Sequence, residues 1–184
     1  DIFSRNIDFS KFGIIYAGAQ KNMGPAGTAL VVVKEEILGK NGRTIPSMLD
    51  YAKHIKAESM YNTPPVFPVY ASLLTLQWLK NLGGIPAIEK INNAKADLLY
   101  TEIDRNPLFK GTAVVEDRST MNATFLLDTP LHTDTFNAML KEAGVVGLPG
   151  HRSVGGYRAS IYNAMPLESV QVLVDVMKDL ENRV

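Results

Sequence analysis

One lysine in this sequence sits where an amine could act as a nucleophile. Lys21 lies in Tyr16-Ala-Gly-Ala-Gln-Lys-Asn-Met-Gly-Pro-Ala-Gly27, a Gly-, Ala- and Pro-rich stretch between the apolar runs Gly13–Ala17 and Thr28–Val33. Such a loop lets backbone approach a bound group closely. An amine there, shielded from bulk water, loses stability as an ammonium and becomes a better nucleophile. That is the environment a Schiff-base lysine requires. A merely solvated lysine at a strand end fits the same local pattern. A phosphate-binding P-loop does not, because G-x-x-x-x-G-K-S/T places the lysine after its glycines, whereas Lys21 precedes Gly24 and is followed by Asn22.

A second cluster is cationic. His151, Arg152 and Arg158 fall within eight residues, among Gly150, Gly155 and Gly156 and with no acidic residue between them. An arginine fork matches a carboxylate or phosphate bidentately, and glycines open backbone N–H groups to an anion. In a strand over 158–163, Arg158, Ser160 and Tyr162 share one face, with Ala159 and Ile161 on the other. The alternative is a solvated loop with Arg158 in a structural ion pair. Asn62-Thr-Pro-Pro65 is a third unusual stretch. Its prolines extend the preceding residues and remove donors, leaving the Asn62 amide and Thr63 hydroxyl free to bind another group. A cap for the following helix accounts for them equally well.

These residues need elements to hold them. The runs flanking Lys21 read as strands buried in a sheet covered on both faces. Lys34–Gly39 reads as a short helix and Asn41-Gly42 as a turn, while 44–61 shows no strong period. Pro68–Leu82 is apolar nearly all round, which predicts a helix buried on most faces. Gly83-Gly84 ends it and marks a domain boundary, dividing the chain into 1–83 and 84–184. Beyond come a helix over about 85–105, strands Thr112–Glu116 and Asn122–Leu127, and a helix Thr133–Glu142. Strands Val145–Leu148 and Arg158–Asn163 follow, then an amphipathic helix after Pro166. That order predicts an α+β layer with a mostly antiparallel sheet.

Composition narrows the function classes. Lys+Arg and Asp+Glu both number 19 in 184 residues, so charge offers no argument for nucleic acid or an acidic membrane surface. No apolar run approaches the ~18 residues of a membrane span. The chain has no cysteine, which excludes disulfides and thiolate chemistry and leans towards a reducing compartment. Asp1 opens without a methionine, signal or transit pattern and leads within about a dozen residues into a buried-type strand. The expectation is the later part of a longer polypeptide.

Together, Ile15-Tyr-Ala-Gly-Ala-Gln-Lys-Asn-Met-Gly-Pro-Ala-Gly27, Tyr61-Asn-Thr-Pro-Pro65, Arg118-Ser-Thr-Met-Asn122 and Gly150-His-Arg-Ser-Val-Gly-Gly-Tyr-Arg-Ala-Ser-Ile-Tyr-Asn-Ala-Met-Pro-Leu-Glu168 resemble the phosphoserine aminotransferase family of pyridoxal-phosphate enzymes. The resemblance runs from end to end of the chain. It implies an α/β fold: the later part of a fold type I large domain, followed by a small α+β C-terminal domain. It also implies that Lys21 is the lysine joined to pyridoxal 5'-phosphate and that Gln20 binds the cofactor phosphate. Asn62 and Thr63 match the pair reaching the partner's cofactor phosphate across a homodimer interface. Arg158 matches the clamp on the substrate carboxylate, and His151 and Arg152 match the pair meeting the substrate phosphate, again from the neighbouring subunit. No metal is implied, and the family suggests a cytoplasmic enzyme. Its cofactor-pairing aspartate, stacking aromatic and Gly-containing phosphate loop have no counterpart in this sequence. A relative acting on an unphosphorylated amino acid would leave the His151–Arg152 pair without an anion. A piece retaining only folding or dimerisation is the non-enzymatic reading.

Overall fold

The computed structural model describes residues 2–40, 42–151 and 153–184. Arg152 and Asn41, named above for an anion site and a turn, lie outside the described residues, as does Asp1.

Strands β1 (Ile14–Gly18) and β2 (Ala29–Val33) pair antiparallel, Ile14 opposite Val33 and Gly18 opposite Ala29. The Lys21 loop therefore leaves and re-enters the sheet at one point. The bond from Ala19 N to Thr28 O, 2.9 Å, closes its neck. Within these 184 residues the sheet is not covered on both faces. It has two strands, and Ile14, Tyr16 and Val32 are exposed. A continuous apolar run gives the capacity for burial on both faces, while neighbouring elements decide whether burial occurs.

After β2 the expected helix over Lys34–Gly39 is a single 3-10 turn, Glu35–Ile37, with no side-chain cap. The unpatterned stretch that follows holds another such turn, Ser47–Leu49, and the short helix α1 (Tyr51–Lys56), capped by Asp50 Oδ1 accepting from Ala52 N at 3.1 Å. Helix α2 (Val66–Asn81) starts two residues before the expected Pro68. Pro68 is accommodated because first-turn N–H groups have no intrahelical acceptor. Within these 184 residues α2 is not buried on most faces: only Ser72 and Leu79 are buried, while Val66, Phe67 and Tyr70 are exposed.

Gly83 and Gly84, at φ +113° and +73°, turn the chain into α3 (Gly84–Arg105) through conformations that favour glycine. Ile88, Leu99 and Ile103 are buried on it. A three-stranded antiparallel sheet follows in the order β3 (Phe109–Gly111), β4 (Asn122–Leu127), β5 (Tyr157–Ser160). Helices α4 (Thr133–Glu142) and α5 (Leu167–Arg183) carry apolar faces into the core shared with that sheet. Phe109, Phe125, Phe136 and Tyr157 meet there with ring centroids 5.1–5.7 Å apart.

Two expected strands are corrected. The strand placed over Thr112–Glu116 lies earlier, at Phe109–Gly111, because buried Phe109 supplies the core contact while Val114 and Val115 are exposed. Val145–Leu148 joins no ladder. Gly147 at φ +73° interrupts the extended run, and the only bridge here pairs Pro149 with Tyr157 among the described residues. Along 157–163 the alternation holds: Tyr157, Ala159, Ile161 and Asn163 are buried, and Arg158, Ser160 and Tyr162 turn away from the core.

Candidate active site

Lys21 is held in a conformation its side chain does not favour. Its φ is +85°, where a non-glycine residue costs about 1–3 kcal/mol unless the surroundings enforce it. Met23 N bonds to Ala19 O at 3.1 Å, and Gln20 bridges to Gly24. Gly24, at φ +136°, lies against α2; a Cβ there would come within 3.4 Å of Ser72 Oγ. The next residue, Asn22, is anchored more deeply. Its Nδ2 donates to Ile2 O at 3.2 Å and its Oδ1 accepts from Asn163 N at 3.1 Å. Asn163 Nδ2 donates to Phe3 O at 2.9 Å, and Asn92 Nδ2 to Ser4 O at 3.1 Å and to Asn163 Oδ1 at 2.9 Å. Three buried asparagines thus take three consecutive carbonyls and tie the Lys21 loop to α3 and to the segment after β5.

Lys21 borders a cavity of about 370 Å³, lined also by Gln20, Asn22, Tyr16, Asn122 and Tyr162 and, among the described residues, by no carboxylate. Its Nζ stands 4.9 Å from the centre of the Tyr162 ring. The Tyr162 hydroxyl donates to Asn122 Oδ1 at 3.0 Å, and Ser160 Oγ donates to the same oxygen at 3.2 Å. Asn122 is set by Ser119, whose Oγ accepts from Met121 N and Asn122 N at 3.1 Å each. Burial pushes the Tyr162 phenol up, but contacts with Lys21 and Asn122 and the charges of Lys21 and Arg158 outweigh it and bring it below its ordinary value. Beneath Tyr162, the buried Lys95 ammonium donates to the carbonyls of Ile161, Tyr162 and Met165 at 2.8–3.0 Å. A larger depression beside Lys34, Glu35 and Glu36 sets one cation against two carboxylates and has no such convergence.

A primary amine beside two phenols and three side-chain amides suits an anionic carbonyl compound. One expectation changes: Lys21 is exposed, because the cavity opens to solvent, so shielding from water is not supplied by these residues.

The model of the family described as aminotransferase class-V matches residues 1–173. The chain belongs to that family. This class-V aminotransferase chain has curated relatives of similar sequence. It is 82% identical over all 184 residues to a phosphoserine aminotransferase of Flavobacterium johnsoniae, of which it covers 52%. It is 80% identical to one of Flavobacterium psychrophilum, again covering 52%. The chain spans about half the length of the curated relatives it matches. A solved phosphoserine aminotransferase from Bacillus circulans subsp. alkalophilus is 42% identical with a TM-score of 0.93, covering 100% of this chain and 51% of that one. Another, from Trichomonas vaginalis and described as bound to PLP, is 37% identical with a TM-score of 0.88, over 96% of this chain and 51% of that one. The mixed α/β architecture is therefore that of fold type I aminotransferases.

Within this class-V aminotransferase chain, the residues singled out from sequence separate into two groups. Lys21 and Gln20 line the cavity, and Arg158 lies on the face of β5 that continues to Tyr162. His151, Asn62 and Thr63 do not line it. His151 sits in an exposed loop with its Nδ1 2.7 Å from Ser153 Oγ, and Asn62 Nδ2 donates to Thr63 O at 3.1 Å. Sequence reasoning assigned no role to Tyr162, Asn122 or Asn22. The signal for Tyr162 was present in its shared face with Arg158. Nothing in the local pattern announces that Asn122 comes within reach of a tyrosine forty residues away.

Proposed function

We propose that the protein carrying these residues is a phosphoserine aminotransferase that uses pyridoxal 5'-phosphate. It would transfer the amino group of L-glutamate to 3-phosphohydroxypyruvate, giving O-phospho-L-serine and 2-oxoglutarate, in L-serine biosynthesis. The phosphorylated intermediate of vitamin B6 synthesis is a second substrate of the same chemistry. The observation that carries the reading is Lys21 on its enforced loop, facing a cavity lined by amides and phenols and, among the described residues, by no carboxylate. That donor set fits an anionic aldehyde cofactor.

In this assignment Lys21 would hold the cofactor and move the substrate proton, and Gln20 would bind the cofactor phosphate. When bound, the cofactor supplies the electron sink that makes the substrate Cα–H acidic. The chain's own residues bind and orient: Arg158 clamps the substrate carboxylate, and His151 and Arg152 meet its phosphate. Asn62, Thr63, His151 and Arg152 act in the site of a second protomer of a homodimer. The placement of His151, Asn62 and Thr63 away from their own cavity supports that assignment. We assign 1–83 to the cofactor-binding domain and 84–184 to the small C-terminal domain, and the enzyme to the cytoplasm. The exposed apolar face of α2, with Phe67 and Tyr70, supports packing against further protein. These 184 residues alone are accordingly expected to be inactive.

The test is borohydride reduction of the full-length protein with pyridoxal 5'-phosphate, followed by peptide mass spectrometry. The reduced adduct is expected on Lys21, and Lys21→Ala is expected to lose both adduct and turnover. An adduct elsewhere, or turnover retained by the alanine variant, refutes the assignment.

A further inference from the structure

We infer that Tyr162 is a positioning residue, whose ring face is the resting site of the Lys21 ammonium whenever that amine is not covalently engaged. The inference rests on Lys21 being the reacting amine, as proposed above. The Lys21 Nζ is 4.9 Å from the Tyr162 ring centre, within the range at which the ring quadrupole attracts a cation.

The ring is fixed from two sides. Its hydroxyl donates to Asn122 Oδ1 at 3.0 Å. Its own carbonyl accepts from buried Lys95 at 2.8 Å, and the neighbouring residue, Asn163, is bound to Asn22 next to Lys21. Amine and ring therefore belong to one connected framework, although they are far apart in the chain. Lys21 also contacts the phenol oxygen, which helps to bring the phenol below its ordinary value.

A lysine that exchanges between covalent and free forms must be kept near its target while free. An aromatic face attracts the ammonium weakly and gives nothing comparable to the neutral amine. The ring is thus suited to retain the charged form and to release the neutral one for attack.

The test reads Lys21 itself in cofactor-free, full-length protein. Wild type, Tyr162→Phe, Tyr162→Leu and Tyr162→Trp are treated briefly with an amine-acylating reagent at neutral pH. Labelling of Lys21 is quantified by peptide mass spectrometry against Lys34. Loss of the ring in the leucine variant is expected to speed labelling about two- to fivefold. Phenylalanine keeps the ring but loses the hydroxyl that Lys21 also contacts, so it is expected to label between wild type and leucine, and tryptophan, the stronger cation binder, to label more slowly than phenylalanine. If the leucine variant does not fold, the order of phenylalanine and tryptophan carries the test. A leucine variant labelled at the wild-type rate, or a phenylalanine variant as fast as leucine or slower than tryptophan, overturns the inference. Borohydride trapping on Lys21 in the same variants keeps this result separate from the assignment of the reacting lysine.

Discussion

Asn163→Asp changes one NH2 into an oxygen at the centre of the asparagine framework and should be costly out of proportion to its size. Asn163 is 5% exposed. Its Oδ1 accepts from Asn92 at 2.9 Å, and its Nδ2 donates to the Phe3 carbonyl at 2.9 Å. An aspartate keeps the first bond but sets a carboxylate oxygen against the Phe3 oxygen with no proton between them. Losing the bond and leaving buried oxygens unpaired costs about 3 kcal/mol. The side chain can escape by keeping its proton, which restores the donor, so the penalty appears as a raised carboxyl pKa, from ~3.9 to about 6. The folded state then holds a proton the unfolded state has released, so stability relative to wild type falls as pH rises between those values. The expected deficit is about 3 kcal/mol at pH 7.5 and roughly half that at pH 5. Urea unfolding of cofactor-free, full-length wild type, Asn163→Asp and Asn163→Ala, followed by far-UV circular dichroism, would measure it. The alanine variant loses both side-chain bonds, and its deficit should not vary between the two pH values. An aspartate variant as stable as wild type at pH 7.5, or equally impaired at both, would refute this account of the framework.

Backbone strain at position 21 can be read separately from chemistry. Lys21→Gly and Lys21→Ala should both lack turnover, but glycine relieves the φ of +85° and is expected to be about 1 kcal/mol more stable than alanine, measured by urea unfolding. The buried Lys95 offers a pH-dependent contrast. Burial lowers its pKa from 10.5 to about 8, so between those values the unfolded chain keeps a proton the folded chain has released, and stability from this site rises with pH. The step corresponds to roughly 3 kcal/mol in full. Wild type is therefore expected to gain on Lys95→Met between pH 7.5 and 10, and a constant difference between their urea midpoints would contradict it.

The nucleophile and its loop were legible because their chemistry is local. A lysine bracketed by glycines and apolar runs needs no distant information, and β1, β2, β4 and the long helices emerged from period and capping within a residue or two. Errors arose where burial depended on neighbours. The apolar β1–β2 sheet and α2 remain partly exposed, and Phe109 rather than Val114 takes the core position. Spacing could place Arg158 and Tyr162 on one face. It could not bring Tyr162 to Lys21 or make Asn163 grip both Asn22 and Phe3, across separations of 141 and 160 residues. Those contacts follow from packing α3 and α5 on the second sheet, which carries the segment after β5 onto the lysine loop. Local sequence thus selects the reactive group. Long-range packing selects the groups that surround it, because side chains distant along the chain meet only after the intervening elements have folded.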